Sequence, residues 1–367
     1  MMKRLDHSKT AIISIVLGTT LMSFSPRGSA AEELWGNTAV CGNGICEDGE
    51  NHRRCARDCC SDVYSRLEQL CMRKGWEKIT VHVSGLPRKL LWKKPEGIWR
   101  HGAIIVLHGG GGAYSNFCGD VRLNKPMGEF CELAIQQGFA VFSLDSTYNL
   151  ATDPQGRPVG KRWDSLAKAG GQNIDLSFIQ KVITQTIPEL RPAKSAENIF
   201  LTGISNGGFM TSLAATNFDD KITAFAPVSA GDPYGTYFDM GTKPPFERHC
   251  APGMWRDNGT DLTIDKTGSC LAGGVQGEKR WATARPQTKP AFKQFHHQED
   301  GGCDISCMEK ARRLLIAHGY RDDGPMIIKG SGKKSILNHF WHRAYNQPLV
   351  EFFKRQASVR GSTNNTE

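Results

Sequence analysis

The sequence predicts an α/β fold: a mostly parallel, doubly wound sheet with helices on both faces. Three observations carry the prediction. Short apolar runs recur at Ala103–Leu107, Phe139–Asp145, Asn198–Thr202 and Ile222–Ser229, with the continuous apolar character of strands buried on both faces. Helix-competent stretches separate them, and strand–helix alternation is the mark of a parallel sheet. Finally, the run Asn198–Thr202 passes through Gly203-Ile204-Ser205-Asn206-Gly207-Gly208 into Phe209–Ala215, a helix-competent run. Strand, Gly-x-Ser-x-Gly, helix is the context of a nucleophile elbow. The turn is so tight that the serine takes strained backbone geometry, and side chains two residues either side would collide. Gly203 and Gly207 meet that need, and Gly208 lets the helix approach the strand.

The remaining elements follow in order. Lys78–Val83 alternates like a strand, and Leu90–Trp92 is a second, short one. Pro126–Gln137 reads as a helix. A polar stretch from Ser146 to Gly171 carries Trp163. Ile174–Thr186 is a helix with Ile174, Phe178, Val182 and Ile183 on one face, ended by Pro188 and Pro192. Gly231–Pro290 breaks the rhythm and reads as a lid-like insertion, with Trp255 and Trp281 as candidate substrate contacts or plain packing. The alternation resumes with strand Ala291–His297, helix Ser306–His318, strand Met326–Lys329 and helix Leu349–Arg355.

Residues 1–30 read as a secretory signal peptide. Lys3, Arg4 and Lys9 make a basic start, Thr10–Phe24 is apolar but short for a bilayer, and Gly28-Ser29-Ala30 offers a cleavage site. The mature chain is therefore expected in the periplasm or the medium. The formal net charge is +9, and losing Lys3, Arg4, Lys9, Arg27 and Asp6 with the leader leaves +6. That charge is scattered, with no basic stripe interleaved with aromatics, which argues against nucleic acid. No later run reaches transmembrane length, so neither a membrane nor a nucleic acid is expected as partner, and the protein reads as a monomer. Residues 31–75 form a cysteine-rich segment, 76–357 the main domain with 231–290 inserted in it, and 358–367 a disordered tail.

Twelve cysteines behind a signal peptide imply disulfides. Six of them fall between Cys41 and Cys71, in a segment too short to bury a core without crosslinks. The same segment collects the oxygen ligands Asn43, Glu47, Asp48, Glu50 and Asp58. Crowded acids on a crosslinked loop suit calcium, and the run Cys-Gly-Asn-Gly-x-Cys-Glu-x-Gly-Glu resembles short secreted repeats thought to bind it. Asn43, Glu47, Glu50 and Asp58 are the candidate ligands of a structural calcium; a disulfide knot with solvated acids is the alternative. No cofactor is expected for catalysis.

A serine hydroxyl needs a base to become a nucleophile at neutral pH. His108-Gly109-Gly110-Gly111-Gly112 follows a buried strand, where α/β-hydrolases place the oxyanion-hole loop. One oxyanion donor should be the N–H of Gly110, with Gly109 the alternative, and the other the N–H of Asn206. The chain order in that fold is Ser, acid, His. His339 and His342 follow the last strand, and Asp300, Asp304 and Glu299 follow the one before it. Ser205, His339 and Asp300 form the preferred set. His339-Phe340-Trp341 resembles the His-x-Trp-Pro pattern around the catalytic histidine of poly(3-hydroxybutyrate) depolymerases and feruloyl esterases, with His342 in place of the proline. His296-His297-Gln298-Glu299-Asp300 resembles their His-Gly-x-x-Asp, with His297 in place of the glycine.

From Ala103 to Phe353 the chain resembles the secreted poly(3-hydroxybutyrate) depolymerase-like esterases of the α/β-hydrolase fold. Leu107–Gly110, Trp163 with Asp175–Phe178, Gly203–Met210 and Ile222–Ala230 carry the resemblance. It implies a serine hydrolase acting on a polymeric or oligomeric ester, with Trp341 added to the substrate contacts. A related group cleaves the β-diketones of oxidised poly(vinyl alcohol), where the departing enolate needs donors of its own and the Asn206 amide is one candidate. Feruloyl or acetylxylan esters are a further alternative.

Overall fold

The computed structural model describes residues 62–119, 123–146, 162–165, 173–232 and 289–363. The leader, the cysteine-rich residues 31–61 with Asn43, Glu47, Glu50 and Asp58, and Trp255 and Trp281 lie outside the described residues. Helix α1 (Asp62–Arg73) leads into the first hairpin. Ser84 and Gly85 take φ of 51° and 82°, the left-handed pair that a two-residue type I′ turn requires. They join β1 (Glu77–Val83) antiparallel to β2 (Leu86–Lys93), with Val83 opposite Leu86. β2 pairs antiparallel with β4 (Phe139–Leu144). From there the sheet is parallel: β4, β3 (Gly102–Leu107), β5 (Ile199–Ile204) and β6 (Ala224–Val228) lie side by side in that order.

Beyond β6 the sheet is split. The expected strand Ala291–His297 is two pieces, β7 (Ala291–Phe292) and β8 (Phe295–His297), both parallel to β6. Extending the register sets the gap opposite Ala226 and Pro227, and Pro227 has no N–H to give a ladder. The expected last strand is β10 (Met326–Ile328), parallel to β8, and an additional short strand before it, β9 (Arg321–Asp322), pairs with β7.

Period-2 alternation assigns each central strand to two cores. Ile104 and Val106 join Phe139, Val141 and Phe200 under helices α2 (Lys125–Gln136) and α7 (Asn346–Thr363), which supply Phe130, Phe352 and Phe353. Ile105 and Leu107 join Phe142 and Leu201 under α3 (Ile174–Lys181) and α5 (Asn206–Asn217), which supply Phe178, Met210 and Leu213. Each fully buried Leu, Ile or Phe is worth roughly 1.5–3 kcal/mol, so the two faces together hold the sheet. Pro188 does not end the third helix as expected. A π turn, Val182–Thr186, follows α3, and Pro188 then sits in the first turn of α4 (Ile187–Leu190), where its missing N–H costs no bond. α6 (Ile305–Ala317) flanks the split edge. Cys71 and Cys118 form a disulfide, and Cys307 is also disulfide-bonded.

Candidate active site

Strand β5 ends at Ile204, α5 begins at Asn206, and Ser205 between them has φ 55° and ψ −121°. Left-handed φ at a non-glycine residue is strained. It is held here by bonds on both sides: Ser205 N donates to Val228 O at 2.9 Å, and Phe209 N to Ser205 O at 3.0 Å. A Cβ on Gly203 would stand 2.5 Å from Gly207 O, and one on Gly207 would collide with the carbonyl oxygens of Leu107 and His108. The glycines of the motif are vacancies that let β3, β5 and α5 converge under the serine. With the elbow at the end of the fifth strand in a 1-2-4-3-5-6 sheet, the fold is settled. The chain has the α/β-hydrolase fold.

The acid and the histidine come from two loops zipped together past β8 and β10. Gly301 N donates to Ser335 O, Ser335 N to Glu299 O, and the Asn338 amide to the same Glu299 carbonyl. His339 Nδ1 then lies 2.8 and 2.9 Å from the two oxygens of Asp300. Asp300 Oδ1 also accepts from Gly302 N at 2.7 Å and Cys303 N at 2.8 Å. Burial works to raise the Asp300 carboxyl, but the His339 hydrogen bond and charge outweigh it and hold it below its usual range. An Nδ1–H given to this carboxylate leaves Nε2 as an acceptor. A Cβ on Gly302 would stand 2.6 Å from the His339 ring, so the glycine is a seat for the imidazole.

The alternatives are engaged elsewhere. Asp304 caps α6 through Ser306 N and pairs with Lys334. The Glu299 carboxylate accepts from Gly332 N. His342 Nε2 is 3.2 Å from Asn338 O, and its ring stacks on His297 at 5.1 Å. His297, in the place of the family's glycine, accepts from Glu299 N through Nδ1. His296 is fully buried and donates Nε2–H to Cys303 O at 2.9 Å; burial lowers its pKa against the pull of Asp300. Ser205 and His296 each lie one residue past the register Ile204–Val228–Phe295. At the usual spacing, β5 and β8 are then about 10 Å apart.

The glycine loop meets the elbow. The Cβ position of Gly109 is 3.6 Å from Ser205 Cβ, and that of Gly110 is 3.7 Å from Asn206 Cβ. Asn206 is the first helical residue, so its N–H has no intrahelical acceptor. Its side chain is committed: Oδ1 accepts from Trp163 N at 2.6 Å, and Nδ2 donates to Ser165 Oγ at 2.7 Å and Trp163 O at 3.3 Å. This corrects the expectation that the Asn206 amide is open to an enolate. Trp163 Nε1 donates to His108 O at 2.8 Å, so one tryptophan holds both halves of the donor pair. Behind it, Asp164 N donates to Asp175 Oδ2 at 2.6 Å, and Asp175 is ion-paired with Arg88, both buried. Arg88 lies over the Phe178 ring at 4.5 Å. The sequence gives no pairing for Arg88, which precedes the expected strand Leu90–Trp92, although an acid at Asp175 beside the apolar face of α3 is a signal of a buried partner.

Trp341 is also corrected. It is buried against Phe117 and Phe130, with Nε1 donating to Asn346 Oδ1 at 2.8 Å, and so belongs to the core. A cavity of 780 Å³ lined by Arg191, Glu197 and Lys221 lies by Ile199, at the other end of β5 from Ser205. Sites in such sheets form beyond the carboxyl ends of the strands, and this cavity is at the amino end.

No known family profile matches the sequence, and no curated protein matches it. Among solved structures, Est1E from Butyrivibrio proteoclasticus gives a TM-score of 0.46 at 16% identity, over 77% of this chain and 99% of its own. An acylaminoacyl peptidase from Pyrococcus horikoshii gives 0.47 at 17%, with 77% of this chain spanning 41% of its length. A cold-adapted esterase from an Arctic intertidal metagenomic library gives 0.44 at 13%, over 77% and 93%. At overlaps of this size the fold assignment rests on strand order and the elbow.

Proposed function

We propose that the protein is a serine hydrolase that cleaves ester bonds through an acyl-enzyme. The observation that carries this reading is the His339–Asp300 hydrogen bond, made beyond the same sheet edge as a serine in strained elbow geometry. In this mechanism His339 Nε2 takes the Ser205 proton as Oγ attacks the carbonyl carbon. Asp300 holds the imidazole in the productive tautomer and stabilises the imidazolium. The N–H groups of Gly110 and Asn206 receive the developing oxyanion. His339 returns the proton to the leaving oxygen, and water repeats the cycle to free the acid. The motifs Gly203–Met210 and His296–Asp300 support the finer reading, a polymeric or oligomeric ester of the poly(3-hydroxybutyrate) kind. The Cys71–Cys118 disulfide supports an oxidising, extracytoplasmic setting.

A fluorophosphonate probe tests the reading. It should label the native protein at Ser205, found by peptide mapping, and Ser205→Ala should lose the label and several orders of magnitude in p-nitrophenyl butyrate turnover. Labelling elsewhere, or an active alanine variant, would overturn it.

A further inference from the structure

Arg162 stands beside the oxyanion loop with no partner among the described residues. Its Nε is 3.5 Å, and its Cγ 3.6 Å, from the position a Cβ on Gly110 would take. The next residue, Trp163, is fixed at three points by Asn206 and His108, so the backbone that presents the guanidinium is anchored to the site. Among the described residues no hydrogen bond or ion pair reaches Arg162, and burial alone depresses its pKa. The other described arginines that are buried or half-buried differ: Arg88, Arg191 and Arg312 each hold a carboxylate. A partly desolvated guanidinium without an anion is costly, and its planar fork matches a carboxylate. The basic chain, net +6 without its leader, would draw such a ligand in.

We propose that Arg162 is the anion-recognising residue of this site, and that the preferred ester carries a carboxylate near the scissile bond. Acid-terminated oligoesters belong to that class. The inference rests on the ester hydrolase reading and adds a substrate charge to it. Arg162 forms no bond to the reacting atoms; it binds the substrate's carboxylate through N–H donors, in the ground state and the transition state alike, so its effect falls mainly on KM.

The test uses the full mature protein and two matched pairs of esters. One pair carries the charge on the acyl side, p-nitrophenyl hemisuccinate against p-nitrophenyl isocaproate. The other carries it on the alcohol side, acetylsalicylate against phenyl acetate. For each, kcat/KM is measured for the native protein, Arg162→Gln and Arg162→Lys. In at least one pair the anionic-to-neutral ratio should fall about 10–100-fold in Arg162→Gln, chiefly through KM, and Arg162→Lys should restore part of it. Added salt should lower the native ratio. The pair that responds tells which side of the ester bears the charge. Ratios unchanged in both pairs, with turnover present, overturn this proposal alone. A native protein that turns over none of the four esters overturns it together with the ester hydrolase reading.

Discussion

Replacing Asp300 by Asn isolates the role of the acid, because the backbone around it dictates how an amide must sit. Oδ1 accepts from Gly302 N and Cys303 N, and neither donor can turn away. The amide oxygen has to take that place, and the amide NH2 then falls where Oδ2 now stands, 2.9 Å from His339 Nδ1 and 3.7 Å from His296 Nε2, which itself donates to Cys303 O. The amide oxygen stays 2.8 Å from the same Nδ1, so the carboxylate's hold on the tautomer is replaced by one acceptor and one donor, and the donor favours a ring that accepts at Nδ1 and carries its proton on Nε2. An imidazole protonated at Nε2 cannot take the Ser205 proton, and no charge remains to stabilise the imidazolium. Loss of both effects is expected to lower kcat about 10⁴-fold, which is about 5.4 kcal/mol of barrier. Stability should fall by only about 1–3 kcal/mol, the cost of weakening buried charged hydrogen bonds. The assay is p-nitrophenyl acetate hydrolysis with urea denaturation alongside, for Asp300→Asn, Asp304→Asn and Glu299→Gln. An Asp300→Asn variant within tenfold of the native kcat refutes the reasoning. So does an equal loss in Asp304→Asn, whose carboxylate is spent on the α6 cap and Lys334.

Three further outcomes follow from the same geometry. His339→Ala should lose nearly as much kcat as the serine variant while His342→Ala keeps most of it, because only His339 reaches Asp300; the reverse result would move the base to His342. Asp175→Asn should cost about 3–5 kcal/mol in urea denaturation by stranding buried Arg88, and should also lower kcat through the Trp163–Asn206 clamp; full kcat in a folded variant would show that the pair serves stability alone. His296 and His342 both have pKa values lowered from 6.5, by burial foremost. Their stability contribution is therefore complete above pH 6.5 and is lost as pH falls below it, because the unfolded chain takes up protons the native state refuses. His296 can add a slope of at most about 1.4 kcal/mol per pH unit, and the denaturation midpoint should fall from pH 7 to 5, less steeply in His342→Gln; equal slopes would remove His342 from the account. Asp300, lowered from 3.8, adds its own loss only below that pH.

What was legible in the sequence was whatever short-range pattern encodes. The apolar runs of β3 to β6 and the glycines around Ser205 mark strands and an elbow without any knowledge of their neighbours. Long-range arrangement was less legible. The split of Ala291–His297 depends on Pro227 in the strand beside it, and the continuation past Pro188 depends on a π turn that no periodicity announces. The resemblance that places Trp341 among the substrate contacts carries no information on which way its side chain turns. Two residues past His339, the chain has left the 3₁₀ turn Ile336–His339 for extended backbone at Phe340, and the indole is turned into the core beneath Phe117 and Phe130.

The two halves of the site are held by different physics. The acid–base half is made by loops, tied by hydrogen bonds between residues 299–301 and 335–338, by Glu299 with Gly332 and Asp304 with Lys334, and by charge assistance between His339 and Asp300. The donor half is wired into the core. Arg88 on the second strand fixes Asp175 at the start of α3, Asp175 fixes Asp164, and Trp163 beside it grips Asn206 and His108. Buried polar chains of this kind are strong when every member is satisfied and costly when one is missing, so in the proposed mechanism the N–H donors of Gly110 and Asn206 are set before substrate arrives. Rigid donors and a tethered base are the division that acyl transfer asks for, since the oxyanion pocket must not move while the proton must.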